Sequence, residues 1–198
     1  MSHLILPSYA EADVQRADAF AEKMHQGQIR KMTGKPYITH PRCVEKLIIE
    51  YAGLTGQSLL RARIASILHD TIEDTHTTQG DILLQFGSVM GMMIQALTSD
   101  QTIACDGESH LPRVRDKVAR VRQYCMYETQ LVMLADRGAN IEELVLDWSH
   151  AKKQSYTQDE PEYMLQNLDV PKSNELAQYV RNLMEECRKT HSLAPPTP

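Results

Sequence analysis

Four ionisable side chains fall within six positions of one short segment: His69, Asp70, Glu73 and Asp74, directly after the apolar pair Ile67-Leu68. Imidazole nitrogen beside carboxylate oxygen is a donor set for a hard-to-borderline divalent cation. Residues three or four apart share a helix face, so a helical backbone here would let His69, Asp70, Glu73 and Asp74 converge on one point. Adjacent His-Asp also arises by chance, and Glu73-Asp74-Thr75 could simply cap a following helix. The segment therefore needs partners elsewhere. His40, in Tyr37-Ile38-Thr39-His40-Pro41, stands at a predicted helix start, where an ordinary cap is its simplest role. Asp136 lies inside an apolar helical run behind Leu131, Val132 and Leu134. A buried carboxylate is costly unless it is paired or metal-bound, and Arg137 is the obvious alternative partner.

Helical spacing dominates the elements that must hold these groups. Ala10, Val14, Ala17, Ala21 and Met24 mark a first helix running to about His25, with Ser8 and Glu11 matching a capping box. Pro41 suits the first turn of a second helix, whose buried stripe is Val44, Leu47, Ile48 and Tyr51. A third helix from about Ser58 runs through Leu60, Ile64, Ile67 and Leu68, apolar enough to be central. Thr77 or Thr78 caps a short helix, and Gly87 separates it from another ending near Leu97. Residues 98–112 read as a polar loop, of the long kind that often carries function. Val114, Val118, Val121 and Cys125 mark a further helix, Leu131 to Trp148 another, and 155–173 reads as irregular. A closing helix over about 173–190 buries Leu176, Tyr179, Val180, Leu183 and Cys187, and 191–198 reads as a frayed tail. The expected architecture is all-α, one domain over residues 1–198 with its core at about 8–150.

The chain has 198 residues, 42% hydrophobic and 24% charged, as an ordinary globular protein does. A net charge of −5 argues against a general nucleic-acid partner. Local basic groups could still hold a small anion. Arg30-Lys31 suit phosphates or a solvated loop equally. Arg113, Lys117 and Arg120 share a helix face that could hold distal phosphates or simply meet solvent. Tyr37 could line a pocket or pack in the core. The four cysteines are scattered without a Cys-x-x-Cys pair, which favours a reducing compartment over a disulfide framework. The first residues lack a basic start followed by an apolar run, and no stretch approaches ~18 apolar residues. The expectation is a cytoplasmic protein with no membrane partner. Self-association into a homo-oligomer stays open.

The ordered segments His25-Gln26-Gly27-Gln28-Ile29-Arg30-Lys31 to His40-Pro41, Ile67 to Thr75, and Leu134 to Asn140 resemble the hydrolase domain of the RelA/SpoT homologues. In length the chain resembles their stand-alone members, the small alarmone hydrolases, related to the wider HD phosphohydrolases. His-Asp alone is a weak motif; three separated segments agreeing in order is a specific one. The resemblance spans roughly 10–150 and implies an HD-domain helical bundle. It implies metal ligands at His40, His69, Asp70 and Asp136, usually for manganese, with Glu73 and Asp74 as catalytic carboxylates that hold or deprotonate the attacking water. Arg30 and Lys31 match the family pair whose loop lies against the purine, where a planar guanidinium can stack. Asn140 matches a position near the ribose and reacting phosphate.

The activity so implied is metal-dependent 3′-pyrophosphohydrolysis of a purine alarmone: ppGpp, pppGpp, ppApp or pppApp. Another nucleotide phosphate ester is a rival substrate. A nucleotide-binding sensor without turnover is a rival class, against which the two carboxylates Glu73 and Asp74 speak. No synthetase half is expected after residue 150. The sequence departs from the family pattern around Asp136, where Met133 replaces a lysine and Gly138-Ala139 a bulky pair. These changes leave the guanine or adenine preference open, as does the Met32-Thr33 stretch of the basic loop.

Overall fold

The computed structural model describes residues 6–31, 33–105, 107–124, 126–144 and 148–196. Met32 and Cys125 fall outside them. The described elements are helical, with an isolated antiparallel β bridge between Ile29 and Pro36. In order they are α1 (Glu11–Met24), α2 (Thr39–Tyr51), α3 (Gly56–Leu68), α4 (Thr71–Asp74), α5 (Gln79–Leu97), α6 (Leu111–Tyr124), α7 (Tyr127–Glu142), α8 (His150–Gln154), a π-turn (Ser155–Asp159), α9 (Glu160–Asn167) and α10 (Glu175–His191).

Three mutually packed helices, α2, α3 and α7, form the centre. α3 is buried on nearly every side from Arg61 to Leu68, Arg63 excepted, as a run carrying Leu59, Leu60, Ala62, Ile64, Ala65, Ile67 and Leu68 requires. Its one buried cation, Arg61, meets Glu128 of α7 at 2.6 Å, so neither charge is left alone in the core. On α7 every residue from Glu128 to Ile141 is buried except Asp136. α1 packs on α3, and α10 closes over α7 and α2 through Leu176, Ala177 and Val180. Gly138 makes that closure possible. A Cβ there would stand 3.3 Å from Val180 Cγ2 and 3.5 Å from Leu47 Cδ1.

Several boundaries differ from the sequence reading. α1 begins at Glu11, and its box is closed by Asp13, whose carboxylate accepts the Ala10 N–H at 2.8 Å, so Ser8 is not the cap. Thr78 does cap α5: its hydroxyl accepts the Asp81 N–H, and Asp81 accepts the Thr78 N–H at 2.8 Å. Gly87, with φ 86°, breaks α5 where the glycine predicts a break. α5 also has the length and mean hydropathy, 1.2, of a membrane span, contrary to expectation. Half of that window is buried inside the protein, while Leu83, Leu84 and Met92 are exposed. α7 ends at Glu142, short of Trp148; α8 follows at His150–Gln154, and the segment expected to be irregular, 155–173, is helical through the π-turn and α9 as far as Asn167. The tail is held further than expected: Leu193 is buried, and the Ala194 N–H donates to Gln154 Oε1 at 3.0 Å.

Candidate metal centre and active-site cleft

Each central helix delivers a donor to one point. α2 presents His40 in its first turn, α7 presents Asp136, and the α3–α4 junction presents His69 and Asp70. Donor atoms of His40, His69 and Asp136 lie within 4.8 Å of one another. His40 Nε2 is 3.0 Å from Asp136 Oδ1 and 3.6 Å from Asp70 Oδ2. His69 Nε2 is 3.5 Å from Asp136 Oδ1 and 3.1 Å from Asp70 Oδ2. Asp136 is not consumed by Arg137, which turns away to Glu160 at 2.8 Å.

The chemistry of these atoms fits a divalent cation. His69 Nδ1 lies 2.7 Å from the Ser66 carbonyl, an arrangement that commits the Nδ1 proton to that carbonyl and makes Nε2 the atom available to a metal once its own proton is lost. That buried Nε2 has no hydrogen-bond partner, because its approaches to the two carboxylates are not aligned as hydrogen bonds. Two imidazoles and two carboxylates leave room on a six-coordinate ion for water and a phosphate oxygen. Burial alone would push the His69 imidazolium down, but the charges of Asp70 and Asp136 outweigh it and hold the group well above the ordinary histidine range. Burial opposes ionisation of Asp70 and Asp136 too, and His69 and His40 reverse that, holding both below the usual carboxylate range.

Glu73 and Asp74 flank the cluster differently. α4 is one turn, closed by the Asp74 N–H donating to the Asp70 carbonyl at 2.9 Å. Glu73 accepts the Ser99 N–H at 2.7 Å and the Gln101 amide at 3.1 Å, with Lys117 Nζ at 3.8 Å. Asp74 faces Tyr37, whose hydroxyl is 2.5 Å from Asp74 Oδ2 and 2.8 Å from Asp70 Oδ2. Partial desolvation at the cleft wall, then the neighbouring Asp70 charge, push Asp74 up, against the hydrogen bond from Tyr37.

His40, Asp70 and Asp136 of the cluster form the floor of a cavity of about 600 Å³ that also meets Met133, Arg113 and Lys117. A second cavity, of about 680 Å³, adjoins it and is lined by Ile29, Trp148 and Lys152. Tyr37, Asp74, His110 and Asn140 line both, so the two are ends of one cleft of ligand-binding size. At the junction the Asn140 amide donates to Asp136 Oδ1 at 2.6 Å, and its carbonyl accepts from Arg30. Arg30 is buried, donates to Glu143 Oε2 at 2.8 Å and lies 5.6 Å from the Tyr37 ring centroid. Lys31 is exposed and lines both cavities.

The basic face of α6 divides. Arg113 and Lys117 line the metal-side cavity, while Arg120 donates to the Gln95, Ala96 and Thr98 carbonyls and so closes the end of α5. Arg113 itself holds the 98–110 loop through Ile103 O and Gln101. The far wall was missed in sequence. Trp148 has Lys152 Nζ 4.1 Å above its ring and meets Tyr156 edge-on at 5.0 Å. The signal was present: the chain's single tryptophan, with Lys152 and Tyr156 four and eight residues on, one face of a helix.

A family model described as an HD domain matches residues 17–162, and the chain belongs to that family. Within it, the chain groups with RelA/SpoT-type hydrolases. Guanosine-3′,5′-bis(diphosphate) 3′-pyrophosphohydrolase MESH1 of Xenopus tropicalis is 34% identical over 146 residues, 70% of this chain and 75% of that protein. The Homo sapiens MESH1 is 34% identical over 152 residues, 73% and 79% of the two chains. A solved structure described as a metazoan ortholog of SpoT that hydrolyzes ppGpp has the same fold, with a TM-score of 0.72 at 20% identity over 95% of this chain and 100% of that one.

Proposed function

We propose that the protein is a metal-dependent 3′-pyrophosphohydrolase of purine alarmones, with ppGpp as the first substrate to test. The observation that carries this is the cluster of His40, His69, Asp70 and Asp136 with Asp74 at one end of a cleft whose other end is walled by Ile29, Trp148 and Lys152. Relatives at 34% identity are named for this reaction.

His40, His69, Asp70 and Asp136 hold the divalent ion, manganese in this reading. When bound, the ion supplies Lewis-acid charge at the phosphate and makes a nearby water more acidic. Asp74 and Glu73 orient the attacking water, and Asp74 takes its proton. The water oxygen adds to the phosphorus on O3′, the O3′–P bond breaks, and O3′ takes up the proton that the water gave to Asp74. Pyrophosphate leaves, with the nucleoside 5′-diphosphate (from ppGpp or ppApp) or 5′-triphosphate (from pppGpp or pppApp) as co-product. Arg30 and Trp148 face the purine from opposite walls, Asn140 meets the ribose side, and Lys31, Arg113 and Lys117 offset phosphate charge.

The test incubates purified protein and Mn²⁺ with ppGpp, pppGpp, ppApp and pppApp separately and follows pyrophosphate. Release from at least one, abolished by chelation, is expected. No release from any of them with the metal bound refutes the proposal.

A further inference from the structure

The segment before α2 contains two residues that the reaction above leaves without a role, His25 and Gln28. They form a connected structure with Tyr37. The His25 and Tyr37 rings stack, centroids 4.6 Å apart and planes 18° apart. Arg30 lies over the Tyr37 ring at 5.6 Å. Gln28 Oε1 is 2.8 Å from His25 Nδ1, and the Gln28 carbonyl accepts the Tyr37 N–H at 3.0 Å. The assembly makes two contacts with Asp74. Gln28 Nε2 donates to the Asp74 backbone carbonyl at 2.7 Å, and the Tyr37 hydroxyl meets its carboxylate.

Those contacts matter because α4 is four residues long and ends at Asp74, followed by extended backbone at Thr75. So short a helix has little rigidity of its own. Asp74 is also exposed, so core packing does not fix its side chain. The polar contacts that fix its backbone carbonyl and carboxylate, 46 and 37 residues away in sequence, come from the His25–Gln28–Tyr37 unit. A buried imidazole stacked behind the phenol and a guanidinium over it immobilise the ring that aims the hydroxyl.

We infer that His25, Gln28 and Tyr37 are a positioning clamp that holds the Asp74 carboxylate against the metal centre during hydrolysis. This rests on the role assigned above to Asp74. The three act through Asp74, so they are positioning residues. A displacement of about 1 Å in such a group costs on the order of a hundredfold in rate.

Tyr37 also touches the ligand Asp70, so a second variant free of that contact is needed. Tyr37→Phe keeps the ring, its stack and the Arg30 contact and removes the hydroxyl alone. Gln28→Met keeps length and removes both side-chain hydrogen bonds without touching a ligand. Both are assayed on the full chain with ppGpp over a manganese titration, alongside Asp74→Asn. At saturating manganese each clamp variant should lose about ten- to a hundredfold in kcat, with KM within about threefold of the parent. Gln28→Met should bind manganese as the parent does. Combining Tyr37→Phe with Asp74→Asn should add little loss to that of Asp74→Asn, because both changes act at one group. Full recovery of Tyr37→Phe turnover by excess manganese would make Tyr37 a support for Asp70 alone and overturn the clamp, as would parental kcat in Gln28→Met. Parental turnover in Asp74→Asn would instead overturn the assignment of Asp74 beneath it.

Discussion

Loading the centre with a divalent ion must displace a proton from His69. Its Nδ1 is committed to the Ser66 carbonyl, so ligation has to use Nε2. In the metal-free protein that nitrogen is protonated near neutrality: burial disfavours the imidazolium, but Asp70 and Asp136 beside it hold the group well above the ordinary histidine range. The two carboxylates are held low and have no proton to give. His69 therefore contributes about one proton per ion bound, and the association constant should rise about tenfold per pH unit near pH 7, or ~1.4 kcal/mol. Calorimetric titration with MnCl₂ in buffers of different ionisation enthalpy, at pH 6.5 and 7.5, counts the protons. His69→Gln should lower that count by about one. Stability of the chelated protein has the opposite sign. A raised histidine pKa stabilises fully below the unfolded value of about 6.5, and that contribution is lost as pH rises through the raised value. The chelated protein should thus melt lower with rising pH while the loaded one gains metal affinity. A pH-independent affinity with no proton release would refute this account of His69.

Three further outcomes follow from the same geometry. Asp74→Asn should lower kcat by about 10²- to 10⁴-fold, the range for removing a general base, with calorimetric manganese binding retained; parental turnover would remove Asp74 from the proton transfer. Trp148→Ala should raise KM for ppGpp about fivefold and leave kcat within about threefold, since an aromatic contact of roughly 1 kcal/mol is lost far from the metal; an unchanged KM in steady-state assays would take the base off that wall. Gly138→Ala gains about 1 kcal/mol in helix propensity. Its Cβ would crowd Val180 Cγ2 at 3.3 Å in a fully buried seam. Overpacking costs about 1–3 kcal/mol, so scanning calorimetry should show a net fall of a few degrees, and a rise would show that α10 yields.

Residue types alone left His40 as an ordinary helix cap, His69-Asp70 as a weak motif and Asp136 as a partner for Arg137. It was the family resemblance, three segments agreeing in order, that grouped the four residues the fold brings together. What could not be read was long-range partnering. Arg30 is tied to Glu143 across 113 residues, and no local pattern announces that. The far wall was lost for a different reason. Pro161 looks like a helix breaker, yet it sits in the first turn of α9, where its missing N–H costs nothing. The π-turn just before it disturbs the 3.6-residue phase, so Glu160 does not simply continue the four-residue spacing of Trp148, Lys152 and Tyr156. Glu160 is fully buried and accepts from Arg137, Ser155 and the His110 N–H, joining three cleft walls by side chains that the sequence shows only as a polar stretch. The α6 face looked like a single basic stripe, but only geometry separates Arg113 and Lys117, on the cleft, from Arg120, which caps α5.

The same separation applies to the two departures around Asp136. Gly138 and Met133 are five residues apart on α7 and face different neighbours. Gly138 meets Val180, Leu47 and Tyr179, so its loss of bulk is matched by the close approach of α10. Met133 is 1% exposed and borders the metal-side cavity. A neutral thioether there in place of a lysine removes a cation from the phosphate end and leaves Arg113 and Lys117 to supply it from α6. Lys117 is already within 3.8 Å of Glu73, so its charge is shared between a carboxylate and any incoming phosphate. In the proposed reaction, the α6 cations Arg113 and Lys117, which line this cavity, then meet the phosphates, while Arg137 of α7 is paired with Glu160. Lys117→Met should then weaken ppGpp binding more than Gly138→Ala does, by a factor of about ten or more, read as KM under saturating manganese. A parental KM in Lys117→Met would take Lys117 out of phosphate binding.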